Sequence, residues 1–89
     1  MEAEKFRRIV FYKDYFQTFF NKLSKKVKAK IVWTLDLIEE TQRVPETYLK
    51  HIEGTDGIFE IRVQFGSDIY RFFCFFDKGK LVILANGLQ

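Results

Sequence analysis

The sequence predicts an α+β fold in which an N-terminal strand and two antiparallel helices precede a three-strand antiparallel meander, with all strands in one sheet. Three observations predict it. Residues 58–65 alternate strictly, with Phe59, Ile61, Val63 and Phe65 on one side and Glu60, Arg62 and Gln64 on the other, the period of a strand with one buried face. Two tight-turn signatures, Gly66-Ser67 and Asp77-Lys78-Gly79-Lys80, punctuate the apolar runs that follow. Val27, Ile31, Leu35 and Ile38 recur at helical spacing.

Taken in order, Phe6 to Tyr12 is short and rich in aromatic and β-branched residues, which reads as a strand with Arg7 and Arg8 on opposite faces. Asp14 with Gln17 three residues on has the form of a capping box, and Phe16, Phe19, Phe20 and Leu23 then follow at helical spacing. Ser24 reads as the N-cap of a second, longer helix that runs to about Thr41. Residues 42–57 read as one long irregular connection, because Val44-Pro45 prevents helix continuation and Asp56-Gly57 turns into the next strand.

The Gly66-Ser67 loop sets the meander's register: Phe65 lies opposite Asp68, and the core side pairs Phe59 with Cys74, Ile61 with Phe72 and Val63 with Tyr70. A slip of one residue would bury two arginines. If Asp77 faces Lys80, then Leu81, Ile83 and Ala85 continue the core face, and Asn86 falls opposite Arg71.

The 89 residues form one domain with a single core. A composition of 47% hydrophobic and 18% aromatic residues excludes a disordered chain. Fifteen basic against twelve acidic residues give a net charge of +3, which permits acidic partners without requiring them. One Cys, Cys74, rules out an internal disulfide and reads as core packing. With one His and one Cys no zinc-ligand set exists, and no cofactor is expected. No stretch has the length of a membrane span and the N-terminus lacks the apolar run of a signal peptide, so the expected location is cytoplasmic, with no membrane partner.

The candidate site is the row Arg62, Arg71, Asn86 on the non-core face. Two like charges directly opposed across strands destabilise the pair unless an anion joins them. Guanidinium groups match phosphate oxygens in bidentate geometry, and Asn86 adds a donor or acceptor. Glu60, two residues along the same face, or Asp68 can instead pair with an arginine and make the row a solvated ion network. Lys22, Lys25, Lys26, Lys28 and Lys30 cluster where the helices meet, either as an ordinary solvated surface or as a track for a nucleic-acid backbone. Trp33 and Leu37 lie off the main stripe, beside Lys26 and Lys30, and either meet the first helix or form a docking surface. His51, next to Lys50 in the long connection, is the only side chain here whose ordinary pKa lies near neutrality, which makes it the candidate for proton transfer or else an exposed bystander. Phe73, Phe75, Val82 and Leu84 make the non-core face too apolar for water, so a C-terminal segment, a partner protein or a second copy of the chain is expected to cover it.

The ordered set of Phe59-Glu60-Ile61-Arg62, Tyr70-Arg71-Phe72-Phe73 and Gly79 to Gln89, behind a strand, two helices and a Pro-containing loop leading to Lys50, resembles the RelE/ParE toxin superfamily, most closely its HigB-like, phage-type branch. The resemblance covers nearly the whole chain. It implies a RelE-like ribonuclease toxin, paired with a cognate antitoxin that in this branch is a helix-turn-helix DNA-binding protein. It also implies ribosome-dependent cleavage of mRNA by attack of a 2′-hydroxyl on the neighbouring phosphate. Arg62 and Arg71 match the family's sheet arginines, Lys50 matches the basic position before the following strand, and His51 is a local acid or base. ParE-like action on DNA gyrase and a non-enzymatic protein-binding module are the alternatives within the fold. Members of the branch continue past the Gly-Leu-Gln position with a lysine-rich stretch and a helix whose basic residues the resemblance links to the reaction, so full, weakened and absent activity all stay open for the 89-residue form.

Overall fold

A computed structural model describes residues 5–87. The chain runs β1 (Arg8–Phe11), α1 (Tyr15–Phe20), α2 (Lys25–Glu40), β2 (Leu49–His51), β3 (Ile58–Phe65), β4 (Asp68–Asp77), β5 (Lys80–Gly87). The five strands form one sheet in the order β1-β5-β4-β3-β2, with β1 parallel to β5 and every other pair antiparallel. Both helices lie on one face. There Phe16, Val27, Ile31 and Ile38 meet Ile61, Val63, Phe72, Cys74, Leu81 and Ile83 to make the core. Phe72 is fully buried at its centre, with Phe16 and Phe19 packed edge-on at ring distances of 5.2 and 5.9 Å.

The β3–β4 hairpin has the expected register throughout, from Phe65 opposite Asp68 to Phe59 opposite Cys74. Gly66 at φ +63° is the residue the loop requires, since a side chain there would strain the turn. At the β4–β5 turn Lys78 and Gly79 both take positive φ, +51° and +80°. Asp77 pairs with Lys80 as anticipated, but the register shifts between Phe73 and Cys74. Leu84 is the extra residue of a bulge, so Arg71 lies opposite Gly87 and Asn86 opposite Phe72. The Arg62–Arg71–Asn86 row is therefore broken at its third member. The Asn86 side chain, and the core position expected of Ala85, lie outside what is described, as do Leu88 and Gln89.

Two further expectations are corrected. Part of the 42–57 connection is strand β2, paired with β3, and its three residues were too few to show a period. Asp14 precedes α1 but makes no side-chain cap bond, and the Gln17 amide donates to Asn21 Oδ1 at 2.7 Å. Ser24 does cap α2, its Oγ accepting from the Val27 N–H. Thr34, buried on the same helix, returns its hydroxyl to the Lys30 carbonyl at 2.9 Å.

The C-terminus of α2 has no basic residue in its last turn, and Arg7 supplies the missing charge from outside the helix. Its guanidinium donates to the carbonyls of Ile38, Thr41 (2.7 Å) and Gln42 (2.8 Å), which satisfies acceptors the helix leaves open. Glu39 holds the same corner by accepting from the Ile9 N–H at 2.8 Å and pairing with Lys5 at 3.2 Å. Arg7→Ala is expected to cost about 2 kcal/mol, a fall in Tm of roughly 10 °C for a chain of this size. Arg7→Lys recovers only part of the loss, because an ammonium lacks the fork; thermal denaturation of the three proteins checks this.

Cys74 is buried and donates to the Phe59 carbonyl at 3.5 Å. Burial pushes its thiol up to about 12. The folded protein is expected to resist thiol-directed labelling at pH 8 and to react once denatured, as counted by mass spectrometry. Because the folded value is raised, the unfolded thiol ionises first, and stability falls as pH rises from its ordinary range towards 12.

Candidate phosphate site on the open sheet face

The face turned away from the helices carries the arginine pair. Arg62 and Arg71 are direct cross-strand partners on β3 and β4. The Arg62 N–H is used on the opposite flank, donating to the Tyr48 carbonyl at 2.8 Å. The Arg62–Arg71 pair is therefore of the class not bridged by ladder hydrogen bonds, in which side chains stand closest. Repulsion between them is met by Glu60, whose Oε1 lies 3.4 Å from Arg62 Nε and whose Oε2 lies 3.7 Å from Arg71 Nε. Both ion pairs are long. Arg62 Nε is buried without a hydrogen-bond partner of good geometry, and the two guanidinium side chains are 32% and 35% exposed against 18% for Glu60. One carboxylate is thus shared by two cations, a partial neutralisation worth less than about 1 kcal/mol. It leaves a positive site with donors open to an anion.

Lys50 joins this site. It is exposed and pairs in register with Glu60, so it stands on the same face. His51 does not. It pairs in register with Phe59, and its ring sits edge-on to that of Phe59 at 5.1 Å. Phe59 belongs to the helix-bearing face and in turn contacts Phe76 at 5.0 Å. The alternation of β2 puts Lys50 and His51 on opposite faces and turns the His51 ring away from the arginines, while His51, Lys50 and Glu60 still line one cavity of about 370 Å³ at the β2 edge.

Beside Arg62 the sheet edge opens into a pocket of about 400 Å³ lined by Lys30, Thr47, Tyr48, Arg62, Gln64, Gly66 and Ile69. Lys30, from the basic cluster on α2, therefore shares a cavity with Arg62. Its ammonium also lies 4.7 Å from the Trp33 ring centre, and Trp33 meets Tyr48 edge-on at 5.9 Å. Trp33, 48% exposed, is thus tied to the segment entering β2. Lys26 is exposed one helical turn before Lys30 and does not line the pocket. Tyr48 and Thr47 were not anticipated in the site, and only the chain's crossing over the β3 edge brings them there; Gln64 reaches it from β3, two residues beyond Arg62 on the same face.

Phe73, Phe75, Val82 and Leu84 are half-buried. Among the described residues no group of His, Cys, Asp or Glu could hold a metal ion, and no helix is long and apolar enough to cross a membrane.

Comparison with known proteins adds a family and a fold. The model of the family "Phage derived protein Gp49-like (DUF891)" matches residues 18–89. No curated protein matches significantly. Among solved structures the chain is similar to a double arginine-to-alanine mutant of the Escherichia coli toxin RelE in the free state, with a TM-score of 0.64 and 16% identity over 91% of this chain and 81% of that one. It is similar to the archaeal RelE-RelB complex from Pyrococcus horikoshii, with a TM-score of 0.64 and 21% identity over 91% and 92%. It also matches the intact E. coli RelBE toxin-antitoxin complex, with a TM-score of 0.66 and 16% identity over 93% and 96%. At these identities the likeness establishes a RelE-like fold.

Proposed function

The chain belongs to the Gp49-like family of phage-derived proteins, and on that footing we propose that it is the toxin of a toxin-antitoxin pair, a HigB-like endoribonuclease that cleaves mRNA on the ribosome. The observation that carries this reading is the direct Arg62–Arg71 pair on the open sheet face, with the Glu60 carboxylate shared between them. A similar fold in RelE-RelB complexes supports a cognate antitoxin as partner, here a helix-turn-helix protein, and the Phe73, Phe75 and Leu84 strip is the surface offered to it or to a second copy of the chain. The work would be done in the cytoplasm.

The chemistry follows from the groups present. The RNA 2′-hydroxyl oxygen forms a bond to the adjacent phosphorus while the bond to the leaving 5′-oxygen breaks, giving a cyclic phosphate and a free 5′-hydroxyl. Arg62 and Arg71 bind the non-bridging oxygens and stabilise the charge that grows on them. Glu60 takes the proton from the 2′-hydroxyl, and Lys50 supplies one to the departing oxygen. These two residues, and not His51, carry the proton transfers in this reading, because they share the arginines' face.

Expression of the chain without antitoxin in growing cells tests the reading. Shortened transcripts with intact DNA topology are the expected result. Supercoiling defects and DNA damage with intact transcripts overturn it in favour of a gyrase-directed toxin.

A further inference from the structure

The pocket beside Arg62 goes unused in a mechanism confined to the scissile phosphate, yet its composition is specific. It has two cationic side chains, Lys30 and Arg62, an aromatic wall, Tyr48, an apolar floor residue, Ile69, and the polar groups of Thr47 and Gln64, with no carboxylate among them. Its volume, about 400 Å³, is in the range of small-ligand pockets. Tyr48 is braced from behind by the edge-on Trp33, and Lys30 lies against the same indole. Two cations and a braced ring lining one cavity make the combination that holds a single-stranded nucleotide, phosphate on the charges and base on the ring.

We infer that this pocket seats the RNA nucleotide next to the reacting phosphate, with its base stacked on Tyr48 and its phosphate held by Lys30 together with Arg62. Lys30 and Tyr48 are then positioning residues. They fix the strand so that the phosphate on Arg62 and Arg71 is aligned for attack, and Gln64 and Thr47 face the base edge. The inference rests on the RNA-cleaving reading above but is read out without the ribosome.

Trp33 is the only tryptophan of the chain and contacts the lining residues Tyr48 and Lys30, so its fluorescence reports on the pocket through them. Titration of the full chain with adenosine 5′-monophosphate, and separately with ribose 5-phosphate and inorganic phosphate, is expected to give saturable quenching with the nucleotide alone. Tyr48→Ala weakens nucleotide binding about tenfold, in line with the loss of one stacked base. Tyr48→Phe restores it, which separates stacking from any effect on folding, and Lys30→Ala weakens it by a similar factor. Equal quenching by ribose 5-phosphate, or unchanged nucleotide affinity in folded Lys30→Ala and Tyr48→Ala proteins, overturns the inference. Transcript cleavage by a protein whose tryptophan ignores nucleotides sinks this pocket alone. Nucleotide binding without transcript cleavage by the same protein sinks the catalytic reading and leaves the pocket standing.

Discussion

Arg62→Ala and Arg71→Ala are each expected to lower the single-turnover rate of mRNA cleavage by about 10²–10³, the usual effect of losing one donor to a developing oxyanion. The double variant falls less than the product of the two, since both arginines hold one phosphate and act as a unit. Lysine at either position keeps the charge but loses the planar fork, and recovers only part of the rate. Stability separates this from simple damage to the fold. Like charges opposed across strands destabilise a sheet, so removing one of them leaves Tm unchanged or higher. A variant that loses activity and melts well below the wild type would show instead that the arginines hold the sheet together.

Glu60→Gln is expected to move two observables in opposite directions. Cleavage falls by about 10²-fold or more, because the group that accepts the 2′-hydroxyl proton is gone. Phosphate binding tightens, because the carboxylate that shares both arginines at 3.4 and 3.7 Å no longer competes with an incoming anion. Single-turnover kinetics and titration with inorganic phosphate measure the two. His51→Ala serves as the control and retains near wild-type cleavage, since its ring lies against Phe59 on the other face. Wild-type cleavage by Glu60→Gln together with a large loss in His51→Ala would reverse the assignment.

The arginine pair was legible in the sequence because strict alternation over residues 58–65 and a two-residue loop leave only one register that keeps both charges out of the core. The next hairpin had no such constraint. Residues 81–85 are apolar at every position, so either register buries hydrophobic side chains, and the bulge at Leu84 displaced Asn86 without any local signal. Strand β2 was hidden for a related reason: three residues paired to β3 show no period, and their placement comes from the tertiary neighbour. That single omission hid the alternation that turns the His51 ring towards Phe59 while Lys50 faces Glu60. The pocket was out of reach altogether, since Trp33, Tyr48 and Arg62 are distant in sequence and meet only where the chain crosses the sheet edge. The C-terminal clamp of α2 by Arg7 has the same origin, a charge delivered from 31 to 35 residues away.

The most direct test of the account is primer extension on mRNA from translating ribosomes, comparing the wild-type chain with the Arg62→Ala/Arg71→Ala variant at matched concentration. New stops within codons, present with the wild type and absent with the variant, are the predicted result. Identical stops from both proteins would contradict it, because cleavage would then proceed without the phosphate site on the open face of the sheet.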